Sequence, residues 1–176
     1  SIGYELLEGP RIPQPGGKAH WNLHTVSDYV NLPMTAFTYF TGDTRASDFD
    51  FNTMRGSQEW YNLMRGYTAL LVAPPQCFVD PTTGLCTKYE LWGDPETFRG
   101  WVDGRLDPAG DRRFAIASGP FTMALGDTQD VIFCLAGSMG ANNRQAVGEM
   151  KKVAGNAHDF YDSNFQLPEP FPVPSL

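Results

Sequence analysis

Residues 113–118, Arg113-Phe114-Ala115-Ile116-Ala117-Ser118, and 131–136, Val131-Ile132-Phe133-Cys134-Leu135-Ala136, decide the fold of this chain. Both runs are short and bounded by turn residues: Gly119-Pro120 follows the first, and Leu125-Gly126-Asp127 lies ahead of the second. Runs of this length, rich in β-branched and aromatic residues, read as strands joined by a turn. The second is apolar on both of its faces, which predicts a strand buried on both sides. A helix is expected next, from Asn142 to Phe165. Ala146, Val147, Met150, Val153, Phe160 and Tyr161 recur there at helical spacing, which predicts an amphipathic helix lying on the sheet. Asn142 or Asn143 can cap it. Gly148 and Gly155 each cost roughly 1 kcal/mol against Ala in a helix, so their presence predicts close packing by a neighbour.

Outward from this core, turn residues recur at short intervals. They leave no room for the helical crossovers of a parallel sheet, so antiparallel strands are expected. Leu32 to Phe40 carries apolar and aromatic side chains on both faces, as a central strand does. Ala69–Ala73 and Thr87–Trp92 are shorter strand candidates, and Trp101–Gly104 reads as extended. The first residues, with Tyr4, Leu6 and Leu7 as anchors, read as extended and as completing a sheet whose other strands lie upstream. Pro13-Gln14-Pro15-Gly16-Gly17 reads as a surface excursion. One short helix is expected from Ser57 to Tyr67, with Ser57 as its cap and Trp60, Leu63, Met64 and Tyr67 on one face. The predicted class is mainly β (α+β): an antiparallel β-sandwich-like domain with one short helix and one long C-terminal amphipathic helix. Residues 1–167 form one domain, and the alternating prolines of 168–176 read as a stiff linker or arm.

Composition narrows the function classes. With 20 acidic against 13 basic residues the formal charge is -7, and no basic run exceeds two residues, so nucleic acid and anionic membranes are poor partners. No apolar run approaches the roughly 18 residues of a membrane span. No signal peptide or initiator Met is visible, and the chain reads as a mature or excised product. Cys77 and Cys86 flank Asp80-Pro81-Thr82-Thr83-Gly84, a turn sequence. A hairpin there would bring the two sulfurs within bridging distance, the alternative being two reduced thiols. Cys134, inside the apolar strand, reads as an inert core thiol.

Three constellations bear on chemistry. His20 and His24 are spaced to share one face of a helix or strand, so a metal site has to be considered, with structural or surface histidines the favoured reading. Asp48, Asp50 and Asn52 alternate as the oxygen ligands of a calcium loop do, without the central Gly and distal Glu of an EF-hand. They are the candidate calcium ligands; a solvated loop is the alternative. Neither Gly-x-Ser-x-Gly nor His-Glu-x-x-His occurs, and Ser118, followed by Gly119-Pro120, reads as a turn residue rather than a nucleophile.

Longer motifs carry a resemblance. Gln58-Glu59-Trp60-Tyr61-Asn62-Leu63-Met64-Arg65-Gly66, Gly100-Trp101-Val102-Asp103-Gly104 and Gly110-Asp111-Arg112-Arg113 are three of them. Ser118-Gly119-Pro120-Phe121-Thr122-Met123-Ala124-Leu125-Gly126-Asp127-Thr128-Gln129 is the fourth. Together they resemble a module of large secreted proteins from Bacteroidota- and Ignavibacteria-like bacteria, which commonly end in a type IX secretion sorting domain. The resemblance covers nearly the whole chain from Ile2 to Pro168. It implies an extracellular or cell-surface setting within a larger polypeptide and carries no catalytic or binding residue with it. The expected role is a non-catalytic structural, adhesive or surface-assembly module. Its partners would be other domains or chains of the same secreted protein, or further copies of itself. A carbohydrate-binding or glycan-active domain is the alternative, with Trp21, Trp60, Trp92 and Trp101 as stacking platforms for polysaccharide.

Overall fold

The strands pair from the outside of the sequence inward. The computed structural model describes residues 1–41, 50, 52–105, 108 and 110–166. Its elements are β1 (Ile2–Glu8), β2 (Arg11–Trp21), β3 (His24–Asn31), β4 (Ala36–Thr41), α1 (Met54–Met64), β5 (Phe78–Val79), β6 (Cys86–Thr87), β7 (Arg112–Ala117), β8 (Ile132–Gly137) and α2 (Asn143–Asp162). Among the described residues four two-stranded antiparallel ladders result: β1 with β8, β2 with β3, β4 with β7, and β5 with β6. The class is mixed α+β, built of small antiparallel sheets. These pairings do not by themselves make a two-sheet sandwich.

β7 and β8 stand where the sequence puts them, but they do not pair with each other. β7 meets β4 in register, Ala36 with Ala117 through Thr41 with Arg112. β8 meets β1, Ile2 with Gly137 through Leu6 with Phe133, and a bulge separates Leu6 from Glu8. Nor is β8 buried on both sides. Ala136 is buried, whereas Phe133 and Leu135 are 48% and 62% exposed. An all-apolar strand gives no sequence clue to which face is covered, because the usual polar alternation is missing.

The first half departs further from expectation. Pro13 to Gly17 lies within β2, whose register with β3 breaks between Pro13 and Lys18. Gly16 takes φ +77, and its N–H donates to Asp28 Oδ1 at 2.9 Å. Asn22 and Leu23, both at positive φ, turn the chain between Trp21 and His24, as a two-residue hairpin turn requires. α1 begins earlier than Ser57. Thr53 is its cap and accepts the Gly56 N–H at 3.1 Å. Gly56 is buried against the Asp50 backbone, where a Cβ would come within 2.1 Å of a carbonyl oxygen. Residues 69–73 form no strand, Thr87–Trp92 contributes only the end of β6, and 101–104 is a bend and turn in which Trp101 is buried.

Phe40 of β4, Leu63 of α1 and Phe78 of β5 form a core cluster, with Trp60 edge-on to Phe40 at 5.6 Å. The hairpin that supplies Phe78 is closed by a Cys77–Cys86 disulfide, with Cα atoms 5.6 Å apart. The second helix is capped by Asn142, whose Oδ1 accepts the Gln145 N–H at 3.0 Å. Gln145 in turn accepts the Ala141 N–H at 2.9 Å. Along α2, Ala146 and Tyr161 are the buried residues, while Val153 of the expected stripe is exposed. A Cβ on Gly3 would strike Met150 Sδ at 2.5 Å, which sets α2 close over the Gly3–Ala136 pair. Gly148 faces the Glu96 carboxylate, but nothing lies within 4 Å of a Cβ at Gly155, so only the first of these glycines is closely packed. Among the described residues no helix is long and apolar enough to cross a membrane.

Candidate functional site

Side chains alternate across a strand, so Gly3 and Ala136 under α2 put Ile2, Tyr4, Leu6, Phe133 and Leu135 on the opposite face of the β1–β8 ladder. That face is apolar and open. Ile2 is 73% and Tyr4 54% exposed, and Tyr4 meets the Phe114 ring of β7 edge-on at 5.3 Å. A contiguous apolar stripe is the kind of surface that contact regions use, which makes this face the candidate site.

One end of the stripe sinks into a groove of about 450 Å³. Its floor is Leu6, Val131 and Phe133; Ile116 and Phe121 form one wall, and Tyr61 and Met64 of α1 the other. Ser118 Oγ lies 3.0 Å from the Leu32 carbonyl oxygen and 2.9 Å from that of Pro33. Thr35 N–H donates to Ala117 O at 2.8 Å, and Gly119 N–H to Thr35 Oγ1 at 3.0 Å. These bonds make Ser118 a fixed corner of the wall, in keeping with its reading as a turn residue.

The groove ends at two cations. Gly66 follows α1 with φ +77, and a Cβ there would lie 2.6 Å from Lys88 Cβ. Its bare Cα lets the Lys88 stem lie alongside Arg65. The Arg65 guanidinium sits 5.3 Å from the ring centroids of both Tyr61 and Tyr67, within cation–π range. Arg65 and Lys88 line a smaller cavity of about 200 Å³ that shares Arg65, Gly119 and Pro120 with the groove. Among the described residues neither cation has a carboxylate within ion-pair distance.

Elsewhere the ionisable side chains hold the fold. Burial pushes the Asp80 carboxyl up, but hydrogen bonds from Thr83, the Thr82 N–H and hydroxyl, and Trp92 Nε1 outweigh it and hold it at about 2. Lys151 reaches from α2 to Asp94 at 2.5 Å and Glu96 at 2.9 Å. That ammonium, helped by Thr97, brings Asp94 down to about 2, and the two carboxylates raise the lysine. Burial raises Glu90 above the ordinary carboxylate range even though Thr38 donates to it at 2.5 Å. The Tyr161 hydroxyl donates to Glu8, and both residues are buried.

Of the candidate calcium ligands, Asp48 falls outside the described residues. Asp50 Oδ1 accepts the Asn52 N–H at 2.9 Å, and the Asp50 carbonyl accepts from Thr53, so this pair shapes the entry to α1. The two histidines belong to different strands rather than one face. The His20 ring lies 5.8 Å from Tyr161, and His24 closes the hairpin turn. Among the described residues no three His, Cys, Asp or Glu side chains gather as metal ligands would. Of the tryptophans, Trp101 is buried and Trp21 is stacked under Arg11 at 3.7 Å, whereas Trp92 is 51% exposed. Cys134 is half-buried, short of a core position.

Sequence reading missed the groove and its cationic end. They draw on positions near 6, 61–65, 88, 116–121 and 133, which no local pattern connects. Gly66, the gap that admits Lys88, carries no sign of that role in the sequence. Comparison of the chain with protein-family models, curated proteins and solved structures gives no match.

Proposed function

We propose that this chain is a non-catalytic, extracellular assembly module of a larger secreted bacterial protein, structural or adhesive in role. The observation that carries the proposal is the division of labour among its side chains. Asp80, Glu90, Asp94, Glu8 and the buried tyrosine are engaged in internal bonds, while a continuous apolar face and groove are turned outward. An enzyme of ordinary design gathers its perturbed groups in the cleft. Here Asp80, Asp94 and Tyr161 lie outside the groove lining. The disulfide favours an oxidising compartment. The resemblance to modules of type IX-secreted proteins supports the same setting, and a sandwich-like layering of the ladders beside an amphipathic closing helix belongs to this reading. Antibody labelling of intact cells, combined with a panel of hydrolase substrates offered to the purified chain, tests it. Surface labelling without turnover is expected. Labelling only after lysis, or turnover of any substrate, would overturn it.

A second reading, carbohydrate binding, is favoured by Trp92. Its indole N–H donates to Asp80 at 3.0 Å, which fixes a half-exposed ring beside Gly100. Retention on insoluble polysaccharide that Trp92→Ala abolishes would support it, and equal retention of both proteins would remove Trp92 from the argument.

A further inference from the structure

We propose that the groove between α1 and the open face of the β1–β8 ladder seats an extended segment of another polypeptide, apolar at alternate positions, with an Asp or Glu side chain against Arg65 and Lys88. This rests on the reading of the chain as an assembly module and names the chemistry of its partner.

Charge complementarity carries the argument. On a chain of formal charge -7, the end of an apolar groove holds two cations without a carboxylate partner among the described residues. The Arg65 guanidinium is held over Tyr61 and Tyr67, so an incoming carboxylate meets a donor already in position. The apolar part of the ligand follows from the floor. Val131 and Phe133 of the floor, and Leu135 just past it, recur at every second residue; on β8, Phe133 and Leu135 stand about 6.6 Å apart, which matches the spacing of same-face side chains in an extended peptide. The stripe also continues beyond the groove to Leu135, Tyr4 and Ile2, along about 13 Å of β8 from Phe133 to Gly137. A compact apolar ligand would fill the groove and leave that extension bare; an extended segment covers both.

The test uses the full chain, immobilised and panned with a displayed random heptapeptide library. Enriched peptides should carry apolar residues at alternate positions and Asp or Glu near one end. The strongest is then synthesised with an amidated C-terminus, so that a side chain supplies its carboxylate, and its affinity is measured by calorimetry. Replacing its acidic residue with the amide should weaken binding at least tenfold, as should Arg65→Gln combined with Lys88→Gln. Lys152→Gln, a cation on the exposed side of α2, should leave affinity within twofold, and equal melting temperatures show that the variants are folded. Phe133→Lys should abolish binding.

Enrichment without acidic bias, an unchanged affinity in the doubly neutralised variant, or no enrichment at all would overturn the proposal. So would displacement of the peptide by dodecanoate at equal concentration, which would make the occupant an amphiphile. A self-associated chain that Phe133→Lys turns into a monomer would make it a second copy. Any of these results leaves surface labelling and the absence of turnover standing, so the two readings fail separately.

Discussion

Tyr161→Phe should cost this fold about 2 kcal/mol through a single oxygen. Tyr161 and Glu8 are each 2% exposed, and the phenol donates to the Glu8 carboxyl, joining the last turn of α2 to the end of β1. Phenylalanine keeps the ring and its edge-on contact with Phe165 at 5.7 Å, so little packing is lost. What remains is a buried acceptor without its donor, a loss of about 1–3 kcal/mol. With a urea slope near 2 kcal/mol per molar, the tryptophan-fluorescence midpoint should fall by about 1 M. In a double-mutant cycle with Glu8→Gln, the two residues should couple by more than about 1 kcal/mol. The pH dependence gives an independent check. Burial, then the bond to Glu8 and its charge, push the phenol up from its ordinary value near 10. The stabilisation is therefore full below pH 10, and it declines above that value as the unfolded chain releases a proton that the folded chain keeps. Tyr161→Phe should flatten this alkaline decline. A midpoint shift under about 0.2 M with no coupling would refute the assignment of this bond as a tie between α2 and β1.

Three further outcomes follow from the same structure. The unfolded, unreduced chain should titrate one thiol, Cys134, and three after reduction; replacing Cys77 and Cys86 with Ser should lower stability by roughly 2–3 kcal/mol through the short closed loop. Asp80 and Asp94 are held at about 2, so their contribution is present above the ordinary carboxylate value near 4 and lost as pH falls towards 2. Chemical denaturation between pH 5 and 2 should show that fall, and it should be shallower in Asp80→Asn. Gly155→Ala meets open space and should stabilise by roughly 0.5–1 kcal/mol, read as a rise in melting temperature.

The sequence made some of this legible because certain signals act locally. Asn142 announces α2, and the Asp80–Gly84 turn between Cys77 and Cys86 announces a closed hairpin. The placement of β7 and β8 followed from their residue types, since turn residues bound both. Which strand each would pair with did not, because antiparallel register over long separations leaves no mark on either run. α1 was read one turn late because Ser57 suits a cap as well as Thr53 does, and nothing local shows that Gly56 is the residue that lets Asp50 approach the helix. Pro13 to Gly17 read as a loop because prolines and glycines usually break strands, and here a register break absorbs them. The groove lay beyond local reading altogether, since its parts become neighbours only through the β1–β8 and β4–β7 pairings.

The ladders are nested like brackets: β5–β6 inside β4–β7, and β4–β7 inside β1–β8, with the β2–β3 hairpin self-contained near the start. A chain emerging N-terminus first can close that hairpin as soon as Asn31 is free, yet Ile2 must wait for Gly137. The first of these strands to emerge is thus the last to find its mate, and its greasy side chains stand unaccompanied while the intervening residues are made. Pulse-labelled hydrogen exchange should accordingly protect residues 11–31 early and residues 2–8 at the end, in step with the docking of the closing helix.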